Sequence, residues 1–169
     1  MRSDPRLDVI VEHLDPRPSD HVLEVGGGHG VAATLVLHRL TTGTYTGVDR
    51  SEAMIAASER RNRDAVAAGR ARFVCASFAD TDLGNSHFNR LFAARVTAMT
   101  RPAELGAAAR CLASGGTLLL AFDSPDEART RSDVESAARR LAASEFASVH
   151  RTEFRLVNGL LVCLTALSR

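Results

Sequence analysis

Short apolar segments alternate with helix-like segments along most of this chain, and that alternation restricts the fold more than any other feature. Strands that alternate with helices form a parallel sheet with helices on both faces. The last two apolar segments flank Asn158-Gly159, a pair typical of a hairpin turn. The sequence therefore predicts an α/β fold with a doubly wound, mostly parallel sheet and an antiparallel C-terminal strand pair at its edge.

The boundaries of these elements follow from hydrophobic spacing and from capping and turn residues. The predicted strands are 21–25, 44–48, 72–76, 91–94, 117–122, 146–156 and 159–167. The predicted helices are 7–14, 31–40, 51–69, 101–112 and 126–143. With 169 residues, the chain is expected to form a single domain over residues 1–169, in which residues 1–18 are an N-terminal helix and linker. No separate substrate domain is expected.

Composition excludes several classes of function. All 21 basic residues are arginine, so a Schiff base, a lysine general base and a phosphate loop that ends in lysine are excluded. The net charge of +1 gives no strong nucleic-acid signal and no sign of a polybasic membrane surface. The arginine groups on the helices are interpreted as solvated faces; they are Arg60, Arg61, Arg63, Arg139 and Arg140.

The cysteines and the N-terminus indicate the compartment. Cys75, Cys111 and Cys163 are far apart and form no C-x-x-C pair, so we expect three buried thiols, no metal site and no disulfide. The N-terminal segment carries acidic residues and only a short apolar run, unlike a signal peptide, and no apolar run reaches membrane-spanning length. A cytoplasmic location is expected.

The most unusual segment is His21–Gly30, HVLEVGGGHG, in which an apolar strand gives way to four glycines among five residues. Glycine suits a sharp turn or a close approach of a ligand to the backbone. The free N–H groups at the start of the next helix favour an anionic or zwitterionic ligand. The spacing from Glu24 is E-x-G-x-G-x-G. It differs from the dinucleotide pattern G-x-G-x-x-G/A, because Val31 falls where the last small residue should lie.

Special residues follow four consecutive predicted strands. The glycine loop follows the first strand, Asp49 the second, Ser77 the third and Arg95 the fourth. The carboxyl ends of parallel strands lie at one edge of a sheet, and ligands bind there in open α/β sheets. The sequence therefore predicts one ligand site at this edge.

These segments resemble the motifs of class I S-adenosylmethionine-dependent methyltransferases. LEVGGGHG is similar to the first motif of that family, an acidic residue two positions before G-x-G-x-G, and GVDRSEAMI is similar to the acidic end of its second strand. FNRLFAARV and LASGGTLLLAF resemble the fourth-strand and fifth-strand motifs. The resemblance runs from about residue 21 to the C-terminus. It implies a Rossmann-like fold, S-adenosylmethionine as cofactor, and methyl transfer.

The resemblance also implies cofactor-binding residues. The backbone against the methionine part of the cofactor would be that of Gly26, Gly27, Gly28 and Gly30. Glu24 would face the cofactor's ammonium group, and Asp49 would accept hydrogen bonds from the two ribose hydroxyls. The residues around the adenine would be Arg50, Met54, Ser77 and Phe78. Arg95 would complete the cofactor-binding set at the end of the fourth strand.

The chain departs from the family pattern at three of these places. Ser77 stands where aspartate is common, Asn89 where the fourth-strand motif often has aspartate, and Arg95 where that strand often ends in asparagine. A serine hydroxyl accepts a hydrogen bond from the adenine amino group less strongly than a carboxylate does. These departures leave open a non-catalytic, methyltransferase-like module that binds the cofactor or acts as a scaffold.

Other interpretations of single residues stay open. The glycines could form only a tight turn, and Asp49 could serve only the cap of the helix that starts at Ser51. His29 is a candidate base, or its side chain covers the cofactor or points away. Arg95 is a candidate catalytic residue that could hold a substrate carboxylate or phosphate, or a surface ion pair. His13 could border the substrate opening.

The sequence thus predicts a methyltransferase that acts on a nucleophilic atom of an unidentified, small-molecule acceptor. It does not identify the acceptor atom or a general base. The short N-terminal helix and modest insertions predict a site that is open, completed by a partner subunit in a homodimer, or suited to a large acceptor.

Overall fold

A computed structural model describes residues 4–157 and 159–169 of the chain. The strands are β1 His21–Val25, β2 Thr44–Asp49, β3 Ala71–Cys75, β4 Phe88–Ala94, β5 Leu112–Asp123, β6 Phe146–Leu156 and β7 Gly159–Ser168. The helices are α1 Pro5–Leu14, α2 Val31–Arg39, α3 Glu52–Arg61, α4 Arg63–Ala67, α5 Pro102–Cys111 and α6 Glu127–Ala142. Single 3₁₀ turns lie at Phe78–Asp80 and Thr97–Thr100.

One sheet contains all seven of these strands, in the order β3-β2-β1-β4-β5-β7-β6. Strands β1 to β5 are parallel to their neighbours, whereas β7 is antiparallel to both β5 and β6. The predicted mostly parallel sheet with an antiparallel C-terminal pair is confirmed. The chain builds outward from β1 to β3 and then returns to the other side of β1 with β4. The ends of β1 and β4 therefore form a topological switch point, where open α/β sheets bind ligands.

Both faces of the sheet are buried by helices, as the unbroken apolar run of β5 predicts. Leu118 and Leu120 belong to the core under α5 and α6, whereas Leu119 and Ala121 face the core under α1 and α2. Successive strand residues point to opposite faces, so one apolar run serves both cores. None of the helices in the described residues is long and apolar enough to cross a membrane.

The predicted helix 51–69 is wrong in one respect, because it is interrupted at Asn62. The Asn62 side-chain amide donates to the carbonyl oxygens of Ser58 and Gly30, at 3.0 and 3.1 Å, and its Oδ1 accepts from the Thr34 hydroxyl. Short polar side chains that bond the backbone compete with the helix ladder. The break therefore ties α3 to the start of α2.

The predicted helix 101–112 ends at Cys111, and β5 begins at Leu112, five residues earlier than expected. The glycines at 115 and 116 lie within the strand, where the β4–β5 register shifts between Phe88 and Arg90. Glycine inside a strand commonly marks such an irregularity. The sequence pattern mistook this irregular strand segment for a helix stop.

Two further predictions concern single positions. Cys111 and Cys163 are buried as expected, but Cys75 is exposed at the end of the edge strand β3, so that prediction is wrong. Burial raises the pKa of the Cys163 thiol to about 12, which makes it unreactive. Asn158, part of the predicted turn between β6 and β7, lies outside the described residues, as do residues 1–3 of the N-terminal segment.

Candidate functional site

The glycine loop between β1 and α2 turns sharply under the ends of the central strands. Its first glycine continues the sheet, since the Gly26 N–H donates to the Val48 carbonyl at 2.7 Å. The φ angles of Gly26 and Gly28 are +77° and +54°, which disfavour any residue with a Cβ. A Cβ on Gly26 would lie 2.5 Å from Cγ2 of Val96, whereas a Cβ on Gly28 would meet no described atom within 4 Å. Position 26 therefore requires glycine because a side chain would clash with Val96. At Gly28 the backbone faces open space.

Helix α3 holds this loop by its carbonyl groups. The Ser58 hydroxyl donates to the Gly28 oxygen at 2.8 Å, and the Arg61 Nε donates to the His29 oxygen at the same distance. Together with the Asn62 amide on Gly30, these contacts come from one face of α3, as residues three and four apart do. Sequence reasoning missed Ser58 and Asn62; Arg61 is exposed, as expected of a solvated helix face, and its bond to the loop was not predicted.

Asp49 lies at the end of β2, where its carboxylate faces the loop. One oxygen accepts from the Gly28 N–H at 3.2 Å, and the other accepts from the Ser51 N–H at 3.0 Å. The Ser51 hydroxyl caps α3 by accepting from Met54 N–H at 3.4 Å. A carboxylate has about four acceptor positions, so these two bonds leave capacity for two more donors. Helix positioning and ligand binding by Asp49 are therefore compatible.

An apolar cavity of about 210 Å³ opens between the ends of β1, β2 and β3 and the start of α5. It is smaller than the 300–1,000 Å³ typical of whole-ligand sites, so it fits one ring system of a longer molecule. The residues that line it are Val25, Gly26, Val48, Asp49, Arg50, Ala76, Phe78, Val96, Ala98, Met99 and Glu104. We name it the ring cavity.

Four residues were predicted around the adenine of a cofactor, and two of them line the ring cavity. Phe78 is almost fully buried in its wall, and Arg50 lies at its edge. Met54 and Ser77 are not among the described lining residues. The Arg50 guanidinium donates to the Ser77 hydroxyl at 3.3 Å, so that serine is held at the mouth.

A second cavity of about 300 Å³ lies over the glycine loop, and we name it the loop cavity. Glu24 and the loop from Gly26 to His29 form one side, and Arg6, Arg95 and Asp123 lie opposite. Gly26 lines both cavities. An elongated molecule could therefore lie across this glycine, with a ring on one side and a polar chain on the other.

Glu24 lies beneath the loop and is almost fully buried. The Tyr45 hydroxyl donates to Oε2 of Glu24, the oxygen that a Cβ on Gly27 would approach to 2.8 Å. Burial, opposed by the Tyr45 hydrogen bond and reinforced by the charge of Asp49, raises the pKa of Glu24 to about 7. The structure thus places a carboxyl group with no neighbouring protein cation among the described residues under the loop cavity.

Opposite the loop, four charged residues form what we call the ion-pair cluster: Asp4, Arg6, Arg95 and Asp123. Arg95 holds Asp123 with two hydrogen bonds of 2.8 and 2.6 Å, and Arg6 reaches Asp123 and Asp4, each at 2.6 Å. Burial alone would raise the pKa of Asp123, but the hydrogen bonds from Arg95 and Arg6 outweigh it and hold that pKa below its ordinary value. Arg95 adopts a φ of +60°, which is uncommon outside glycine.

The structure distinguishes the remaining candidates. Arg95 forms an ion pair with Asp123 and also lines the loop cavity, and its role towards a substrate stays a prediction. His29 is exposed and also lines the loop cavity. His13 packs edge-on against Phe154 with the ring centroids 5.3 Å apart, and it is not among the described residues that line either cavity.

Asn89, one of the departures from the family pattern, serves the opposite end of the sheet. Its Oδ1 accepts from the His21 N–H at 2.8 Å, where β1 begins. This contact aligns β4 with β1 and lies away from the carboxyl ends of the strands. Asparagine in place of aspartate at position 89 therefore does not change the charge of either cavity.

The chain is similar to known proteins both in sequence and in fold. Residues 22–116 match the sequence profile of a family described as methyltransferase domain. No curated protein matches the sequence at a significant level. Among solved structures, geranyl diphosphate C-methyltransferase from Streptomyces coelicolor A3(2) is similar, with a TM-score of 0.77 and 14% identity over 98% of this chain and 79% of that one.

Two further structures share the fold. Magnesium protoporphyrin IX methyltransferase from Synechocystis PCC 6803 has a TM-score of 0.73 and 17% identity, over 98% of this chain and 82% of that one. Phosphoethanolamine N-methyltransferase 2 from Haemonchus contortus has a TM-score of 0.76 and 12% identity, over 97% of this chain and 52% of that one. At these identities the likeness establishes the fold, and the acceptor has to be argued from the site.

Proposed function

Because this chain belongs to the class I S-adenosylmethionine-dependent methyltransferases, we propose that it transfers a methyl group from S-adenosylmethionine to a nucleophilic atom of a small-molecule acceptor. The two cavities that meet at Gly26 support a defined orientation of the cofactor. The adenine takes the ring cavity, and the methionine part lies along the loop cavity. Asp49, between them, accepts the ribose hydroxyls with its remaining acceptor positions.

The observation that carries this proposal is the pairing of Gly28 and Asp49. The Gly28 N–H donates to the Asp49 carboxylate, and the missing Cβ of Gly28 leaves open space on the other side of the same residue. The positive φ favours glycine here, and a glycine keeps this backbone accessible to a ligand.

Glu24 completes the methionine end of the proposed site. A buried carboxyl with a raised pKa is stabilised in its charged form by an incoming cation. The ammonium group of the cofactor is such a cation, and it reaches the loop cavity that Glu24 lines. The charge on Glu24 and the binding of an ammonium above the loop should therefore favour each other.

The sulfonium of S-adenosylmethionine supplies an activated methyl group, so the protein's task is chiefly to hold and align the reactants. The glycine backbone and Asp49 fix the donor. The acceptor has to approach through the loop cavity, which His29 and Arg95 also line. His29, which is exposed at this cavity, is a candidate to take a proton from an acceptor that carries one.

We propose that the acceptor carries a carboxylate or a phosphate. Arg95 presents a guanidinium to the loop cavity, and a planar guanidinium suits both anions. The related structures from S. coelicolor and H. contortus contain geranyl diphosphate and phosphomonomethylethanolamine, both phosphorylated acceptors. Such an anion would compete with the Asp123 carboxylate for the hydrogen bonds of the Arg95 guanidinium. A cytoplasmic location remains part of this proposal.

Calorimetric titration with S-adenosylmethionine and S-adenosylhomocysteine tests the binding step. Asp49→Asn should weaken both Kd values by about 100-fold, because it removes charge-assisted hydrogen bonds worth roughly 1.5–3 kcal/mol each. Asp64→Asn is the matched control, since the Asp64 side chain is 96% exposed and forms an ion pair with its neighbour Arg63. Absence of binding by the wild type, or equal binding by Asp49→Asn, would contradict the assignment.

Turnover separates the enzyme from the alternative of a non-catalytic, cofactor-binding module. Fractionated metabolites are incubated with the protein and S-adenosylmethionine, and S-adenosylhomocysteine is measured. Formation of the product with an anionic fraction supports the proposal. Tight binding of the cofactor with no turnover in any fraction would favour the non-catalytic module.

A further inference from the structure

The ring cavity is lined by a second carboxylate besides Asp49, that of Glu104. Glu104 lies in the first turn of α5, and its side chain is only 8% exposed, yet it lines the ring cavity. Most of the other walls are apolar, among them Val48, Phe78 and Met99. A buried carboxylate in such surroundings is costly unless a donor reaches it.

Within the described part of the chain, Glu104 lacks a close donor. Its one polar contact is Arg50 Nη2, at 4.0 Å from Oε1, which is beyond hydrogen-bond distance. The same Arg50 nitrogen is directed to the Ser77 hydroxyl at 3.3 Å. The Arg50 side chain is 65% exposed, so it covers the mouth of the cavity without satisfying the carboxylate inside.

Capping of α5 does not account for Glu104. A glutamate at the third helical position can bond the N–H of the residue before the helix, which is Arg101. Here the Arg101 N–H donates instead to the Ala98 carbonyl at 2.9 Å. The start of a helix favours an acidic residue in its first turn, which suits Glu104 to this position in the chain. Its direction into the cavity needs another explanation.

We infer that Glu104 accepts the hydrogen bond from the exocyclic amino group of the adenine. The inference rests on the proposed function, and it explains how the adenine amino group can meet a carboxylate although position 77 is serine. The carboxylate that reads the amino group comes from α5, across the cavity, instead of from the end of β3. The apolar walls take the faces of the ring, and Glu104 makes the site selective for adenine over a purine with a 6-oxo group.

The test is the binding of two ligands that differ at the 6-substituent and in the proton on the adjacent N1, S-adenosylhomocysteine and S-inosylhomocysteine. The wild type should bind the adenosyl ligand at least about 10-fold more tightly, because the 6-oxo group would place an acceptor against the Glu104 carboxylate. In Glu104→Gln the amide can donate to the 6-oxo group, so the ratio of the two Kd values should fall about 10-fold towards one.

Glu127→Gln is the matched control, since Glu127 also lies in the first turn of a helix and lines neither cavity. It should keep the wild-type ratio. An unchanged ratio in a folded Glu104→Gln protein would overturn the inference while leaving the proposed function intact. Equal binding of both ligands by the wild type would overturn it without any variant. Failure of the wild type to bind S-adenosylhomocysteine would contradict the proposed function itself, and the inference with it.

Discussion

Two carboxyl groups lie on opposite sides of the loop cavity, and their surroundings push their pKa values in opposite directions. Burial raises the pKa of Glu24 to about 7, because the hydrogen bond from the Tyr45 hydroxyl offsets the effect of burial only in part. At Asp123 the hydrogen bonds from Arg95 and Arg6 outweigh burial and lower the pKa. The glycine-loop side therefore lacks a cation that a ligand could supply, whereas the ion-pair cluster is already balanced.

This difference supports the role proposed for each side. The Glu24 side gains from a ligand with an ammonium group, as expected of the methyl donor. The ion-pair cluster has two cations and two anions, so an anionic acceptor binds there only by exchange with Asp123. Donor binding is therefore expected to be strong by itself, and acceptor binding to be weaker and sensitive to salt.

The largest expected effect concerns Glu24 and pH. Its pKa is raised from 4.5 to about 7 on folding, so the unfolded chain loses this proton first. The resulting contribution to the free energy of unfolding should fall by roughly 3 kcal/mol as pH rises from about 4.5 to about 7. Glu24→Gln should remove that fall, and it should therefore be more stable than the wild type at pH 8. Urea unfolding of both proteins at pH 5 and pH 8 measures these free energies of unfolding.

Glu59→Gln, a change of an exposed glutamate on α3, is the control for the Glu24 experiment and should follow the wild type at both pH values. Parallel pH dependence in Glu24→Gln and the wild type would mean that Glu24 is ionised at little cost. The contrast with Asp123 would then disappear.

The next largest effect concerns Gly28, compared with Gly69. Both have a left-handed φ, +54° and +69°, and a Cβ on either meets no described atom within 4 Å. Gly28→Ala and Gly69→Ala should therefore lower the free energy of unfolding by similar amounts, about 1 kcal/mol. Only Gly28→Ala should weaken S-adenosylhomocysteine binding, by about 10-fold or more. Equal affinity in the two variants would show that the ligand does not lie against Gly28.

The smallest effect concerns Asp123. Asp123→Asn should cost about 1 kcal/mol at pH 7, a modest value because the Arg95 side chain is 54% exposed and solvent screens the pair. Since the pKa of Asp123 is lowered on folding, its contribution is present above pH 4 and lost as pH falls through the folded value. The stability difference should therefore shrink in acid. Asp133→Asn, which breaks an exposed pair on α6, should show a smaller loss at pH 7.

Local pattern accounts for what the sequence could predict. The order of strands and helices follows from hydrophobic spacing, and the loop follows from glycines and Asp49 at strand ends. The irregular start of β5 could not be predicted, because it depends on pairing with β4. The organisation of residues 1–169 as one domain stays a prediction.

Distance along the chain explains what the sequence could not predict in the site. Arg6 and Asp123 meet although 117 positions separate them, and nothing local to either residue indicates the pair. Glu104 is an ordinary acidic residue in a first helical turn until the packing of α5 turns it into the ring cavity. Ser58 and Asn62 likewise gain their role only when α3 packs on the loop.

A crystal structure with S-adenosylhomocysteine bound tests the central claim most directly. The account predicts the adenine in the ring cavity, the ribose hydroxyls on the Asp49 carboxylate, and the amino-acid part over Gly26 to Gly28, above Glu24. A ligand bound elsewhere, or a loop whose space is filled by the protein's own side chains in the crystal, would contradict the account.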